Sequence, residues 1–215
     1  MYAKFFKRFL DFWLSLIALI VLSPLLLVLT IVGAIAMRGN PFFMQKRPGM
    51  IDKKTGKEKI FPLIKFRTMS NAKDKYGNLL PDEVRLNGYG KFLRKTSLDE
   101  LPELVNILLG QLALCGPRPL LTAYLSRYSD FQLRRHEVRP GLTGYAQAHG
   151  RNSITWEEKF EMDVWYVDHI SIQTDVKIIL ATVKAVLTHE GISSETSATM
   201  EEFMGSKDMV KEEIK

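Results

Sequence analysis

The chain has 215 residues, 46% of them apolar, a formal net charge of +6 and one cysteine. That length carries one domain with a substantial core plus an appendage, and a lone cysteine excludes an internal disulfide, a CxxC redox pair and a cysteine zinc site. The basic balance, with a pI near 9.3, turns the chain toward anionic partners: nucleic acid, an acidic membrane surface or phosphorylated substrates.

The first predicted element is a long apolar segment. Residues 12–37 carry no charge, and about 26 residues in a helix reach on the order of 39 Å, enough to span a bilayer. The segment is too long for a signal peptide, although Ala34-Ile35-Ala36 resembles a cleavage site. Ser23-Pro24 falls near its middle, and proline removes a backbone donor and bends the helix there. Both flanks are basic, with Lys4, Lys7 and Arg8 before and Arg38, Lys46 and Arg47 after, so both ends favour the same, cytoplasmic side. A bent helix that dips and returns satisfies this, each arm of about 12 to 15 residues being too short to cross. Proline is tolerated in spanning helices as well, so pattern alone leaves both forms open. Asp11, at helical spacing from Lys7 and Arg8, reads as a local ion-pair partner.

Beyond Asn40-Pro41 the pattern changes. Phe42-Phe43-Met44-Gln45 reads as a short strand, 48–59 as a lysine- and glycine-rich turn and 60–68 as a partner strand, together a small hairpin. Residues 69–86 are polar, a loop with some helix. The pattern predicts helices over 98–114, 122–139, 155–170 and 174–188, with a glycine-containing loop over 139–151. Residues 200–215 form a charged tail. The expected fold is an α-rich α+β protein: a membrane helix over 1–38, a mostly helical body with a small β-hairpin over 39–199, and the tail. Cys115 reads as a small buried hydrophobe.

The chemistry concentrates in Thr96-Ser97-Leu98-Asp99-Glu100-Leu101-Pro102-Glu103-Leu104. Proline is tolerated in the first turn of a helix, which puts Asp99 or Glu100 at or near an N-cap. Both carboxylates then sit at the positive end of the helix dipole, where anions also bind. An isolated pair of this kind is mostly a cap and a solvated first-turn acid. The surrounding bases shift that reading. Lys65 and Arg67 lie two apart on one strand face, and Arg94, Arg118, Arg139 and Arg151 fall near glycine, proline or element ends. Arginine's planar fork suits bidentate phosphate binding, so a phosphate pocket is expected. P-loop, dinucleotide, HExxH and GxSxG patterns are absent. His136, His149, His169 and His189 are scattered and read as core or surface residues, and Trp156, Trp165 and Tyr166 as packing.

An ordered set of motifs runs through the chain: Lys7-Arg8-Phe9-Leu10-Asp11, Ser23-Pro24, Gln45-Lys46-Arg47-Pro48-Gly49, Lys65-Phe66-Arg67-Thr68-Met69, Leu98-Asp99-Glu100-Leu101-Pro102, Gly116-Pro117-Arg118-Pro119, Arg139-Pro140-Gly141-Leu142-Thr143-Gly144, Gly150-Arg151 and Asp163-Val164-Trp165-Tyr166-Val167. In this the chain resembles the small monotopic phosphoglycosyl transferases, the bacterial sugar transferases, with its closest likeness to PglC-type enzymes. The resemblance implies a re-entrant helix broken at Ser23 and Pro24, on the cytoplasmic face of the bacterial inner membrane. It implies transfer of a sugar 1-phosphate from a UDP-sugar to undecaprenyl phosphate, with Mg2+ and release of UMP, as the first membrane step of glycoconjugate assembly, ahead of downstream glycosyltransferases and without nucleic acid. Asp99 would form a covalent phosphosugar intermediate. Glu100 would serve as metal ligand or proton acceptor, with Asp99 and Glu100 as the metal-binding pair. Lys65, Arg94, Arg118 and Arg151 match positions near the phosphates and nucleotide. The likeness favours an N-acetylated amino sugar such as UDP-diacetylbacillosamine; UDP-galactose or UDP-glucose, for capsule or exopolysaccharide, is the alternative. Tyr145 and His149 stand where relatives often have Trp and Asn, which bears on donor contacts. A membrane-anchored anion-binding protein is the distant alternative, one whose binding would not depend on Asp99.

Overall fold

The computed structural model describes residues 2–150, 154–187 and 202–205. The chain opens with one π-turn, Tyr2–Phe6, that runs into α1 (Lys7–Val21). Leu22 breaks the helix, and α2 (Ser23–Ala36) continues at 65° to α1. Pro24 sits in the first turn of α2, where its missing N–H costs nothing, while Ser23 Oγ donates to the Ile20 carbonyl at 2.7 Å. Among the described residues no single helix is long and apolar enough to cross a membrane; the bent pair passes that test only together.

Strands β1 (Phe42–Ile51) and β2 (Glu58–Phe66) form the expected hairpin, antiparallel with Phe43 opposite Lys65 and Arg47 opposite Phe61. β1 is longer than the sequence indicated, because Pro48 is tolerated on the edge of a two-stranded ribbon. The inward face of β2 carries Phe61 and Leu63 into a core cluster with Leu104, Ile107 and Leu112, closed on one side by Ala18, Leu19 and Leu22 from the first helix and the break.

After a polar stretch holding the short α3 (Asp82–Arg85), α4 (Gly88–Thr96) begins on an Asn87 cap that accepts from Gly90 N. The predicted helix over 98–114 is three separate pieces. Leu98–Glu100 is a 3-10 turn, α5 spans Glu103–Leu108, and β3 spans Ala113–Cys115. Gly110, at φ +78°, ends the helix. The predicted helix over 122–139 is likewise a 3-10 turn (Thr122–Arg127), α6 (Asp130–Leu133) and a second 3-10 turn (Arg134–Glu137). The expected loop over 139–151 holds β4 (Gly141–Thr143) and α7 (Tyr145–His149). β4 pairs parallel with β3, Ala113 opposite Gly141 and Cys115 opposite Thr143. A side chain at Gly141 would collide with the backbone of Cys115 and Gly116. α8 (Trp156–Asp168) and α9 (Ile172–Leu187) follow as predicted. Among the described residues the result is α+β, with two small sheets rather than one.

Residues 202–205 return to the body. Phe203 is buried among Leu120, Tyr124, Tyr128 and Phe160, with Trp156 packed against them; the rest of the tail, and His189, lie outside the described residues. Cys115 is fully buried as expected. His136 is a core residue, and His149 and His169 stack on Tyr145 and Trp165 at the surface.

Candidate active site

The acid pair does not cap a helix. α4 ends at Ser97, which adopts the left-handed conformation at φ 56°, and this reversal throws Leu98–Glu100 into its own turn ahead of α5, whose N-cap is Pro102. A left-handed C-cap is common, but the residue is usually glycine or asparagine. Leu98 and Leu101, on either side of the pair, pack on a cluster of Leu29, Phe66 and Leu93. Apolar anchors therefore fix the turn while its two carboxylates stay half-buried.

Glu100 is clamped. Lys65 Nζ lies 2.6 Å from Oε1, and Arg118 spans both oxygens, Nη2 on Oε1 and Nη1 at 3.4 Å from Oε2. Burial opposes its charge, but Arg118 and then Lys65 outweigh that and hold its carboxyl well below the usual range. Asp99 makes no ion pair among the described residues. Burial, and then the charge of Glu100, raise its pKa against the pull of Lys65 and Arg118. Two adjacent carboxylates are thus differentiated: one permanently charged and immobilised, one unpaired and facing the cations at longer range.

Sequence reasoning passed over Glu103. It is 1% exposed and lies 3.1 Å from Lys65 Nζ, off the hydrogen-bonding direction, so its Oε1 is a buried oxygen without a donor. Burial and Glu100 raise its pKa. The three-residue step from Glu100 to Glu103, which faces both to one side, was the available signal.

Each cation is held by its own element. Lys65 is the penultimate residue of β2. α5 is stapled to that strand by Asn106, which accepts from Ile64 N at 3.0 Å and donates to Pro62 O at 2.8 Å. Arg118 leaves the β3–β4 pair, and its carbonyl accepts from Arg135 Nη2 at 2.6 Å. Arg135 in turn pairs with Asp163 of α8 at 2.7 Å, both fully buried. Arg94 is not brought to the carboxylates: its Nε donates to Thr68 Oγ1 at 3.1 Å and its Nη2 lies against Met69. Arg151 lies outside the described residues, and Arg67 follows the end of β2, its N–H donating to Pro41 O. Among the described residues no group of three or more His, Cys, Asp or Glu forms a cage for a metal. The unpaired Asp99 beside Glu100 nevertheless fits Mg2+, which takes one or two carboxylates and completes its shell with substrate phosphate and water.

The carboxylate turn between α4 and α5 thus meets Lys65 and Arg118 at Glu100. The family model described as bacterial sugar transferase matches residues 2–189, and the chain belongs to that family. A Bacillus subtilis (strain 168) protein named uncharacterized sugar transferase EpsL is 49% identical over 203 residues, 94% of this chain and 98% of the relative. The undecaprenyl-phosphate galactose phosphotransferase of Salmonella typhimurium is 33% identical over 207 residues, 88% of this chain. A UDP-glucose:undecaprenyl-phosphate glucose-1-phosphate transferase of Klebsiella pneumoniae is 38% identical over 186 residues, 83% of this chain. The chain spans only 42% and 39% of these last two.

Proposed function

We propose that the chain transfers a sugar 1-phosphate from a UDP-sugar to a polyprenyl phosphate such as undecaprenyl phosphate, through a covalent intermediate on Asp99. The observation that carries this is the division of labour in the acid turn, Glu100 locked by Lys65 and Arg118 while Asp99 is unpaired. An Asp99 oxygen attacks the β-phosphorus of the donor. The bond from that phosphorus to the bridging oxygen breaks, UMP leaves with the electron pair, and an acyl phosphate links Asp99 to the sugar. An oxygen of the polyprenyl phosphate then attacks the same phosphorus and frees Asp99 with its charge. Lys65 and Arg118 balance charge on the phosphoryl oxygens, and Arg94 and Arg151 are assigned to the phosphate and nucleotide region by family likeness. Mg2+, held by Asp99 and Glu100, would supply further charge neutralisation on the phosphates.

The anchor geometry favours a re-entrant helix on the cytoplasmic face. Both arms lie on one body: Arg8 of α1 donates to the carbonyls of Ile107 and Leu108, and α2 accepts from Tyr89 at Leu29 O and from Asn87 at Ala36 O. A straight span would carry one arm away from these partners. Phe9, Trp13, Ile17 and Ile20 of α1 and Leu27, Ile31 and Ile35 of α2 remain exposed for lipid. On this reading a lipid acceptor and a soluble donor would meet at one site.

Donors to be compared are UDP-N-acetylated amino sugars first, then UDP-galactose and UDP-glucose, the sugars that two of the relatives' names carry. The test is UMP release and a radiolabelled protein adduct, with and without undecaprenyl phosphate and Mg2+. Asp99→Asn is expected to lose the adduct and to lower turnover by roughly a thousandfold or more. Near-normal turnover in that variant would refute the covalent route.

A further inference from the structure

Gln45-Lys46-Arg47-Pro48-Gly49 has no part in the chemistry so far. In the hairpin register, Gln45, Arg47, Phe61, Leu63 and Lys65 share one face, the face that enters the core through Phe61 and Leu63. Arg47 is therefore an inward cation on the same surface as Lys65. Its only hydrogen bond among the described residues is to a neutral group, Nη2 to Gln45 Oε1 at 2.7 Å. Its Nε is buried with no acceptor, and it forms no ion pair among the described residues. Glu103 partly offsets its charge from a distance but has its ion pair with Lys65, at 3.1 Å.

Burial presses against the charge of Arg47, and one charged neighbour, Arg118, also opposes it. Of these two guanidinium groups, Glu100 pairs with Arg118 and not with Arg47. A desolvated cation with a free donor and a like-charged neighbour is an unfavourable arrangement that an incoming anion corrects. Planar donors in this disposition suit a phosphate ester.

The hairpin's direction selects which phosphate. β1 leaves the anchor at Phe42, and Lys65 lies opposite Phe43, beside that exit. Arg47 is four residues farther along, about 13 Å. On the reading above, the lipid-linked phosphate would come in at the anchor end, which leaves the far end to the soluble nucleotide.

We propose that Arg47, together with Arg118, forms the subsite for the nucleotide phosphate of the donor, the phosphate that departs in UMP. The assignment rests on the UDP-sugar reading above and adds to it a residue that binds rather than reacts.

The experiment is calorimetric titration of UMP and of uridine into the full chain in detergent, for wild type, Arg47→Gln and Arg47→Lys, alongside KM for the donor and for undecaprenyl phosphate. Arg47→Gln is expected to weaken UMP roughly 30-fold or more, to leave uridine unchanged and to raise KM for the donor alone. Arg47→Lys recovers part of the loss. Without nucleotide, Arg47→Gln melts no lower than wild type, because it removes an uncompensated cation. UMP affinity unchanged by Arg47→Gln, an equal loss for uridine, or a rise in KM confined to undecaprenyl phosphate overturns the subsite. Melting lowered by several degrees with UMP binding intact marks Arg47 as structural and overturns it too. A wild-type chain that binds no UMP overturns the donor assignment together with the subsite, whereas UMP binding indifferent to Arg47 overturns the subsite alone.

Discussion

At the scale of single residues, three carboxylates within one turn and the start of a helix have three different environments. Asp99 carries the testable consequence. Its raised pKa, caused by burial and by Glu100, means that its charge is lost at a pH where a solvated aspartate, at about 3.9, keeps its own. Adduct formation should therefore fall on the acid side with a midpoint above that value. Arg118→Gln removes a cation that lowers the Asp99 pKa, so the midpoint moves up. Glu100→Gln removes the like charge and leaves both cations to Asp99, so it moves down. Initial rates of adduct labelling against pH check both directions, and shifts of the opposite sign would refute the electrostatic account. Glu103 makes a separate prediction about stability. Unfolded, it titrates near 4.3; folded, burial and then Glu100 push it up to about 7. Between those two values the native state holds the extra proton, so this group's contribution to stability declines as pH rises through the window. Melting of Glu103→Gln relative to wild type should climb between about pH 4.3 and 7 and level off above, and a flat difference would show that Glu103 stays ionised. The sequence made Asp99, Glu100, Lys65 and Arg118 legible because they fall in short, dense motifs. Glu103 was passed over because a first-turn acid is ordinary in any helix, and its three-residue step from Glu100 does not by itself stand out. Arg47 was read as a flanking charge because nothing in the sequence reveals which strand face turns inward.

At the scale of elements, the site depends on α5 being locked to β2, which brings Lys65 to the carboxylates. Asn106 makes that lock, and it is fully buried, so the Ile64 N–H and Pro62 carbonyl have no water to turn to. Asn106→Ala leaves both unsatisfied and should cost about 3 kcal/mol, read by denaturant unfolding, with a donor KM that rises as Lys65 loosens. A loss under 1 kcal/mol would mean that the strand edge finds other partners. The hairpin and the two long C-terminal helices were legible because each has a sustained period and local pairing. The stretches 98–114 and 122–139 were not. Their apolar residues also satisfy a helical period, and what overrides it is non-local: a left-handed Ser97, a positive-φ Gly110 and a parallel pairing of β3 with β4 across 25 intervening residues.

At the scale of the whole molecule, the apolar anchor is joined to the body by a polar seam. Lys7, Asp11 and Ser15, one face of α1, are all buried. Lys7 lies 2.7 Å from Asp175 of α9, Tyr2 and Tyr166 donate to the same carboxylate at 2.6 and 2.7 Å, and Asp11 accepts from Leu114 N at 3.0 Å. The expectation that Asp11 pairs locally with Lys7 is met only at 4.0 Å; its shorter bond is to β3. These contacts orient α1 against β3, the strand that leads to Arg118, so the anchor angle and the cation geometry are mechanically linked. Removing one partner of a buried pair strands the other charge and costs about 3–5 kcal/mol, whereas replacing both with apolar groups is close to neutral. Asp175→Ala is therefore expected to lower stability by about that amount. Adding Lys7→Met should recover a large part of it, short of full restoration because Tyr2 still lacks its acceptor, whereas Tyr166 keeps the Cys115 carbonyl at 3.0 Å. Thermal unfolding in detergent measures both steps. A single variant that costs under 1 kcal/mol, or a double variant worse than the single, would show that the seam does not hold the anchor to the body.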